Sequence, residues 1–109
     1  MEMTNEARPA MTGEQLQSLL NYAQGLLNTS KYGKNETIGY DEGPVYIRVF
    51  RQIPNSRSAY CFIRKSDGAI MKAASWKAPA PNGVRAYLSD SEEVWKSKLT
   101  EYGTIYLRY

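Results

Sequence analysis

Apolar residues recur at a helical spacing near the beginning of the chain. They would share one face of a helix and comprise Leu16, Leu19, Leu20, Ala23 and Leu27. Thr12 and Gln15 have the spacing of a capping box, in which two side chains bond free backbone N–H groups at a helix start. We therefore predict a helix that begins after Thr12 and ends near residues 28–30.

A second helix is predicted near the C-terminus, where Ser89 and Glu92 have the same capping-box spacing. Acidic side chains come early in this segment and lysines come later, which complements the helix dipole. Its predicted apolar face consists of Val94, Trp95, Leu99 and Tyr102. Gly103 is the predicted end of this helix.

Between the helices, apolar and polar residues alternate with a period of two, which is typical of β-strands. Three runs show the alternation, over residues 45–50, 59–64 and 69–74. A turn over residues 66–68 is expected between the last two runs, because Gly68 tolerates the positive φ that hairpin turns require. The pattern predicts a three-stranded antiparallel meander.

The remaining segments are predicted as follows. Residues 31–43 form a loop with a short extended piece at 37–40. Residues 75–86 form a loop, because two prolines there lack a backbone N–H. Residues 104–109 form a last strand that pairs with the meander. The predicted fold class is therefore α+β, in the order α-βββ-α-β, as a single domain.

The predicted domain covers residues 12–109, and residues 1–11 are predicted to be a flexible tail because they lack a hydrophobic period. No internal repeat divides the domain. A short sheet of this kind has exposed edges, so a homodimer formed by edge pairing is one expectation for self-association.

The alternation gives the meander two different faces. The first is purely apolar and is expected under the helices; it consists of Val45, Ile47, Val49, Ala59, Cys61, Ile63, Ala69, Met71 and Ala73. The second interleaves aromatic rings with cations and consists of Tyr46, Arg48, Phe50, Tyr60, Phe62, Arg64, Ile70 and Lys72. Rings stack on bases and cations neutralise phosphates, so this face suits single-stranded nucleic acid. Alternatively, one helix covers each face, and these aromatics are ordinary core.

The composition restricts the chemistry. The chain of 109 residues has no histidine and one cysteine. These counts exclude an intramolecular disulfide, a zinc site of the usual Cys/His type and the Ser-His-Asp and Cys-His mechanisms. We predict no catalytic residue, no metal site and no cofactor, and hence a protein that is not an enzyme. No apolar run approaches the ~20 residues of a membrane span and no signal-peptide core is present, so no membrane partner and a cytoplasmic address are expected.

The formal net charge of +3 hides a segregation along the chain. Residues 1–43 have a net charge of −3, residues 44–88 of +7 and residues 89–109 of −1. Such an asymmetry is typical of proteins with an anionic partner. Alternatively, the acidic ends neutralise the basic middle in the folded protein.

The loop after the third run is a second candidate site. Its polar and aromatic side chains could form a pocket for a phosphate and a base; they are Lys72, Ser75, Trp76, Lys77 and Arg85. The segment is not a P-loop, because it lacks a glycine-rich cradle with a GK[ST] ending. Alternatively, Trp76 anchors a long connection onto the core while the lysines are solvated.

One segment resembles small bacteriophage proteins that have no assigned activity. The resemblance is carried by residues 57–63, Asp67-Gly68, residues 72–79 and Arg85, within a stretch that ends near residue 88. It implies a phage or prophage origin and a location in the host-cell cytoplasm. It also implies either an accessory protein that handles nucleic acid or a counter-defence protein that sequesters a nucleotide or blocks a host protein.

From these observations we predict a non-enzymatic binder of a phosphate-bearing ligand, with single-stranded DNA or RNA as the leading candidate. The expected ligand-binding residues are Tyr46, Arg48, Tyr60, Phe62, Arg64, Lys72, Ser75, Trp76, Lys77 and Arg85. The alternatives are sequestration of a small or cyclic nucleotide and a protein-interaction or virion-associated module that binds through exposed tyrosines.

Overall fold

The structure, a computed structural model, describes residues 8–30 and 35–105. Helix α1 spans Gly13–Thr29, and Thr12 caps it with the reciprocal bonds of a capping box to Gln15. The predicted first helix is therefore confirmed, and its end at Thr29 lies within the predicted range of residues 28–30. Its start and end were predictable because the cap and the apolar spacing are both local properties of the sequence.

Five strands follow α1 and form one antiparallel sheet in which each strand pairs with the next along the chain. They are β1 (Thr37–Glu42), β2 (Tyr46–Ile53), β3 (Ser56–Arg64), β4 (Ala69–Ala73) and β5 (Pro79–Tyr87). A short helix and two short strands complete the described chain; they are α2 (Glu92–Lys96), β6 (Leu99–Thr100) and β7 (Gly103–Thr104).

The predicted fold class, α+β with a three-stranded meander, is therefore wrong: the described chain is mostly β. Strand β1 contains the predicted extended piece at 37–40 and adds Asp41 and Glu42, because these residues pair with β2 in a way that local sequence does not reveal. Strand β5 begins at Pro79, inside the second predicted loop. It is an outer strand paired with β4 alone, and proline is tolerated there because an outer strand need not donate on its free side.

The C-terminal prediction also needs correction. Helix α2 has five residues, is capped by Ser91 rather than Ser89, and ends at Lys96, well before Gly103. Gly103 has a φ of +135° and begins β7, where an added Cβ would lie 2.6 Å from the Tyr60 carbonyl oxygen. Strand β7 pairs with β6 in a separate two-stranded sheet rather than with the meander. Residues 106–109 of the predicted last strand lie outside the described residues.

Part of the predicted tail contacts the fold. The Met11 N–H donates to the Lys65 carbonyl oxygen at 3.0 Å, and Arg8 Nη1 pairs with Asp90 Oδ1 at 2.6 Å. Residues 8–11 thus lie against the β3–β4 turn and the start of α2. Residues 1–7 of that tail lie outside the described residues.

Both helices contribute to a core on one side of the large sheet. The buried residues of this core are Leu16, Leu19, Ala23, Ile47, Val49, Tyr60, Cys61, Ile63, Ile70, Ala86, Leu88, Trp95 and Leu99. The opposite side, here called the open face, carries Tyr46, Arg48, Phe50, Phe62, Arg64, Met71 and Tyr87. Its buried cluster of Phe62, Ala69 and Met71 packs against strand residues, and no helix in the described ranges contributes to it.

The predicted faces are wrong at several positions. Val49 pairs with Cys61 and Phe50 pairs with Ala59, so Tyr60 is the extra residue of a bulge and lies in the helix-side core. The pairing of Ile63 with Ile70 also brings Ile70 into that core. Four residues of the predicted apolar face consequently belong to the cluster on the open face. The bulge places Ala59 there, and the β3–β4 register places Ala69, Met71 and Ala73. A slip of one residue reverses the face of a side chain.

Within the described residues, no helix is long and apolar enough to cross a lipid bilayer.

Candidate functional site

Arg48 lies at the centre of the open face. Strand β2 places it opposite Asp41 on β1 and Phe62 on β3. Its Nη2 atom is 2.8 Å from Asp41 Oδ2, and its Cζ atom is 4.1 Å from the centroid of the Trp76 ring. Nη1 also donates to the Trp76 carbonyl oxygen at 3.3 Å. Arg48 therefore connects strand β1 to the loop that carries Trp76.

The loop between β4 and β5 presents Trp76 to the sheet. The N–H groups of Ala74 and Ser75 both donate to the Ala78 carbonyl oxygen, at 3.0 and 3.2 Å. The Lys77 N–H donates to Ser75 Oγ at 3.2 Å, which tightens the turn. The loop is thus ordered by its own hydrogen bonds, and the indole packs on the open face.

Trp76 is one member of a row of stacked groups. Its ring centroid lies 5.9 Å from that of Phe50, and the guanidinium carbon of Arg57 lies 4.5 Å from the Phe50 centroid. We call Arg57, Phe50, Trp76 and Arg48 the stacked row. Gly39 makes room for it, since an added Cβ there would lie 2.8 Å from Phe50 Cζ. The row therefore has two rings in the middle and one guanidinium group at each end.

A groove of about 370 Å³ lies beside the row. It is lined by Asp41, Glu42, Gly43, Pro44, Val45, Tyr46, Arg48, Phe62 and Lys77. Tyr46 and Phe62 form an apolar wall and meet edge to face, with centroids 6.1 Å apart. Arg48 belongs to both the groove and the stack on Trp76. The groove therefore combines apolar ring surface, one stacked guanidinium and the exposed Lys77.

A second ring lies elsewhere on the open face. The guanidinium of Arg8 lies over the Tyr87 ring, with its Cζ atom 4.2 Å from the ring centroid. Arg64, on β3, forms two hydrogen bonds with Asp67, at 3.1 and 2.9 Å.

The hydrogen bond from Arg64 lowers the pKa of Asp67. Burial tends to raise the pKa of Asp90, but the hydrogen bonds from Arg8 and from the Tyr87 N–H outweigh it and lower that pKa. Both carboxylates are therefore held ionised.

Ion pairs neutralise part of the basic middle of the chain. Four pairs do so: Arg48–Asp41, Arg51–Glu36, Arg64–Asp67 and Lys65–Glu42. Three of these acids come from the acidic N-terminal block, so the alternative of neutralisation in the folded protein holds for those pairs. In the part of the chain that the structure describes, Arg57, Lys77 and Arg85 have no acidic partner. The uncompensated positive charge on this face is therefore that of Lys77 at the groove and of Arg57 at the far end of the stacked row.

Three of the predicted site residues lie away from the groove. Tyr60 is buried in the helix-side core, where its hydroxyl donates to the Thr100 carbonyl oxygen and burial raises its pKa. Lys72 donates to the Ala73 carbonyl oxygen and lines, with Tyr60, a second cavity of about 660 Å³ next to β6 and β7. Arg85 Nε donates to the Ile105 carbonyl oxygen at 2.8 Å and thus holds the C-terminal segment.

The other predicted residues come together on the open face. Tyr46, Phe62 and Lys77 line the groove, Arg48 and Trp76 form the stack beside it, Arg64 is opposite Tyr46, and Ser75 supports the loop. Sequence reasoning missed four contributors, namely Arg8, Asp41, Arg57 and Tyr87.

Metal-binding and nucleophilic groups are sparse around this site. No group of three or more histidine, cysteine, aspartate or glutamate side chains able to hold a metal ion occurs among the residues with described positions. Cys61 is fully buried, and burial raises the pKa of its thiol. Its sulfur is therefore protonated and inaccessible at neutral pH.

Comparison with known proteins identifies the family. Residues 4–107 match the family of unknown function DUF7717. The chain belongs to DUF7717. The description of DUF7717 names no activity or ligand and gives no link to bacteriophages, so the phage origin stays a prediction. No curated protein and no solved structure matches the chain.

Proposed function

We propose that the chain is a non-enzymatic protein that binds single-stranded nucleic acid on its open face. The observation that carries this proposal is the Arg48–Trp76 stack beside the groove. Protein modules that bind single strands combine rings or guanidinium planes, on which bases stack, with cations that contact the backbone. The groove and the stacked row bring both kinds of group to one surface.

A base would enter the groove and stack on the guanidinium of Arg48, on the side away from Trp76. Arg48 is suited to this role because Asp41 and the Trp76 carbonyl oxygen hold its planar group in place. An ordered guanidinium loses little freedom when a ligand stacks on it. Tyr46 would form the side wall against the base or sugar, and Lys77 at the rim would contact a phosphate.

The charge distribution favours stacking over phosphate contacts as the main source of affinity. Asp41 and Glu42 line the groove and disfavour a phosphate inside it. Two of the described cations that have no acidic partner lie on this face: Arg57 at the far end of the stacked row and Lys77 at the groove. We therefore expect few phosphate contacts and a modest dependence on salt.

The test is fluorescence anisotropy with a labelled, unstructured oligonucleotide of about ten nucleotides, within the range of known single-strand site sizes. The wild-type protein should bind at low salt. Arg48→Ala should weaken binding about tenfold, because stacking on one base is worth ~1–3 kcal/mol. Lys98→Ala, which removes one cation that follows α2 and lies outside the groove, is the matched control and should change affinity less than about twofold. Equal effects of the two variants would contradict the proposal.

A second candidate is sequestration of a small nucleotide in the groove. The observation that favours it is the groove volume of about 370 Å³, which lies within the range of small-molecule pockets. Titration calorimetry with cyclic and linear nucleotides tests it. Binding of a nucleotide that matches or exceeds binding of the oligonucleotide would favour this candidate over the first.

Two further sequence predictions keep their status as predictions. One is a protein-interaction module, for which the exposed Tyr40 and Val45 beside the outer strand β1 would be contact residues. The other is a cytoplasmic location in a host cell.

A further inference from the structure

We propose that the open face has a second stacking position at Tyr87, so that its ligand is a strand crossing the sheet rather than a single nucleotide. This inference rests on the proposed function and specifies its ligand class. The second position consists of Tyr87 with Arg8 and Arg64, and it lies on the opposite side of the face from β1.

The sheet register places Tyr46, the side wall of the groove, in one line with Tyr87. Tyr46 is directly opposite Arg64, Arg64 is opposite Ala69, and Ala69 is opposite Tyr87. Residues directly opposite one another share a face and lie in a row across the strands. Neighbouring strands are ~4.8 Å apart, so the backbones of Tyr46 and Tyr87 are about 14 Å apart across three strand spacings. Ala69 is fully buried, and both tyrosine rings pack against the cluster that contains it. Arg64 stands in the row between Tyr46 and Ala69, with its side chain 31% exposed.

The second position repeats the chemistry of the first. At the groove, the guanidinium of Arg48 lies 4.1 Å from the Trp76 centroid and pairs with Asp41 at 2.8 Å. At Tyr87, the guanidinium of Arg8 lies 4.2 Å from the ring centroid and pairs with an aspartate, Asp90, at 2.6 Å. Each is a ring with an arginine stacked on it and an aspartate that orients the arginine.

The carboxylates of the second position already accept hydrogen bonds from groups of the protein itself. Asp90 accepts hydrogen bonds from Arg8 and from the Tyr87 N–H. Asp67 accepts from Arg64 and from the Ala69 N–H. Both aspartate side chains are about one-fifth exposed, whereas that of Arg8 is 43% exposed. The surface that a strand would meet is therefore dominated by the guanidinium groups and the tyrosine ring.

The N-terminal segment supplies Arg8 to this surface. The Met11 N–H bonds the Lys65 carbonyl oxygen at 3.0 Å, and Arg8 Nη1 also donates to Ser89 Oγ at 3.2 Å. These bonds give a specific role to a residue that sequence patterns placed in a flexible tail. The segment acts as a strap that brings a cation to the edge of the open face.

Two positions on one rigid sheet bind a strand as a bivalent pair. Occupation of the first raises the effective concentration of the connected nucleotides at the second. Affinity should therefore rise with strand length until the strand spans both positions, and then level off. A mononucleotide can occupy one position alone.

The experiment is a competition series in which unlabelled homopolymers, from the dinucleotide to about ten nucleotides, displace a labelled strand. With the wild-type protein, affinity should rise about tenfold or more over the series, since the longer strands can stack a second base. Tyr87→Ala should remove most of this gain and leave dinucleotide binding within about twofold. Arg8→Ala should also reduce the rise of affinity with strand length. Because the Arg8 side chain is exposed, we expect no change in the melting temperature, so this variant tests the proposal even if Tyr87→Ala unfolds.

Tyr40→Ala is the matched control, because this exposed tyrosine is on the opposite face of the sheet, across from Val49. It should leave the length dependence intact. Equal affinity for the dinucleotide and the longest strand would overturn the second position while leaving the proposed function standing. Absence of binding at every length would overturn the proposed function and this inference with it.

Discussion

The guanidinium of Arg48 lies over the indole of Trp76, with its Cζ atom 4.1 Å from the ring centroid, while Asp41 pairs with its Nη2 atom. This relationship joins two segments that are 28 residues apart in sequence. It fixes the loop that carries Lys77 beside the groove. A cation–π contact of this kind contributes ~0.5–2 kcal/mol, depending on how far the pair is desolvated.

Replacement of Arg48 by lysine distinguishes the contribution of the planar guanidinium group to binding from the contribution of its charge. Arg48→Lys keeps the net charge but loses the planar stack and the two-point bonding to Asp41 and Trp76. We expect oligonucleotide affinity to fall several-fold and the free energy of unfolding to drop by about 1 kcal/mol. Anisotropy and urea titration measure the two effects. An unchanged affinity would mean that Arg48 acts as a point charge and not as a stacking surface.

Gly39 is predicted to be essential for the packing of Phe50 beneath Trp76. A methyl group at this position would lie 2.8 Å from Phe50 Cζ, so Gly39→Ala forces the ring to shift. The expected loss is ~1–3 kcal/mol of unfolding free energy, as for other overpacked sites. Gly25→Ala is the control, because Gly25 is within α1 with open space around it, and it should stabilise by ~0.5–1 kcal/mol. Urea unfolding of both variants should therefore give changes of opposite sign, and the same sign would refute the packing assignment.

Glu42 is expected to oppose binding. Its carboxylate lines the groove and pairs with Lys65 at 2.7 Å, and its side chain is 60% exposed. Glu42→Gln removes a negative charge from the groove and releases Lys65, so affinity for an oligonucleotide at low salt should rise about two- to threefold, in line with the weak energies of exposed charges. The matched control is Glu92→Gln, whose ion pair with Lys96 is on α2. Weaker binding by Glu42→Gln would show that this carboxylate contacts the ligand favourably.

Stability should fall in alkaline solution because of two buried groups on β3. Burial raises the pKa of both Cys61 and Tyr60 in the folded protein. Above the ordinary values of ~8.5 for a thiol and ~10 for a phenol, the unfolded chain loses these protons while the folded chain keeps them. Rising pH therefore favours unfolding, by up to ~1.4 kcal/mol per pH unit for each group. Urea titrations between about pH 7 and pH 10.5 measure the effect.

A cysteine variant isolates the contribution of the Cys61 thiol to the loss of stability with rising pH. Cys61→Ala should be less stable at neutral pH, because it leaves a small cavity in the core. Its stability should nevertheless change less between about pH 8.5 and pH 10 than that of the wild-type protein. A slope equal to that of the wild type would exclude Cys61 as a source of the alkaline loss.

The elements predicted well are those determined by short-range signals. Helix α1 carries its own cap at Thr12 and its own apolar face, and the centres of β2, β3 and β4 carry strong alternation. The sequence predicts β1 only as a short extended piece and most of β5 as a loop, because the formation of these outer strands depends on a neighbour. Strand β1 becomes a strand through pairing with β2, and β5 starts with a proline that is acceptable only at a sheet edge.

The candidate site was predicted in two halves. Sequence patterns pointed separately to the aromatic and basic face around Arg48 and to the loop around Trp76, and the fold joins them in a single stack. The bulge at Tyr60 reversed the expected face of that tyrosine, and nothing in the alternation indicates where such an extra residue occurs. The partners Asp41 and Arg8 were not predictable, because each reaches the site through tertiary packing.

The most direct test of the central claim is the salt dependence of oligonucleotide binding by the wild-type protein. Each phosphate contact on a single strand contributes about −0.7 to the slope of log affinity against log salt. With Arg57, Lys77 and the partly exposed Arg8 available, we predict measurable binding at about 50 mM salt and a slope of roughly −1.4 to −2.1. Absence of binding at that salt concentration, or an affinity independent of salt, would contradict the account.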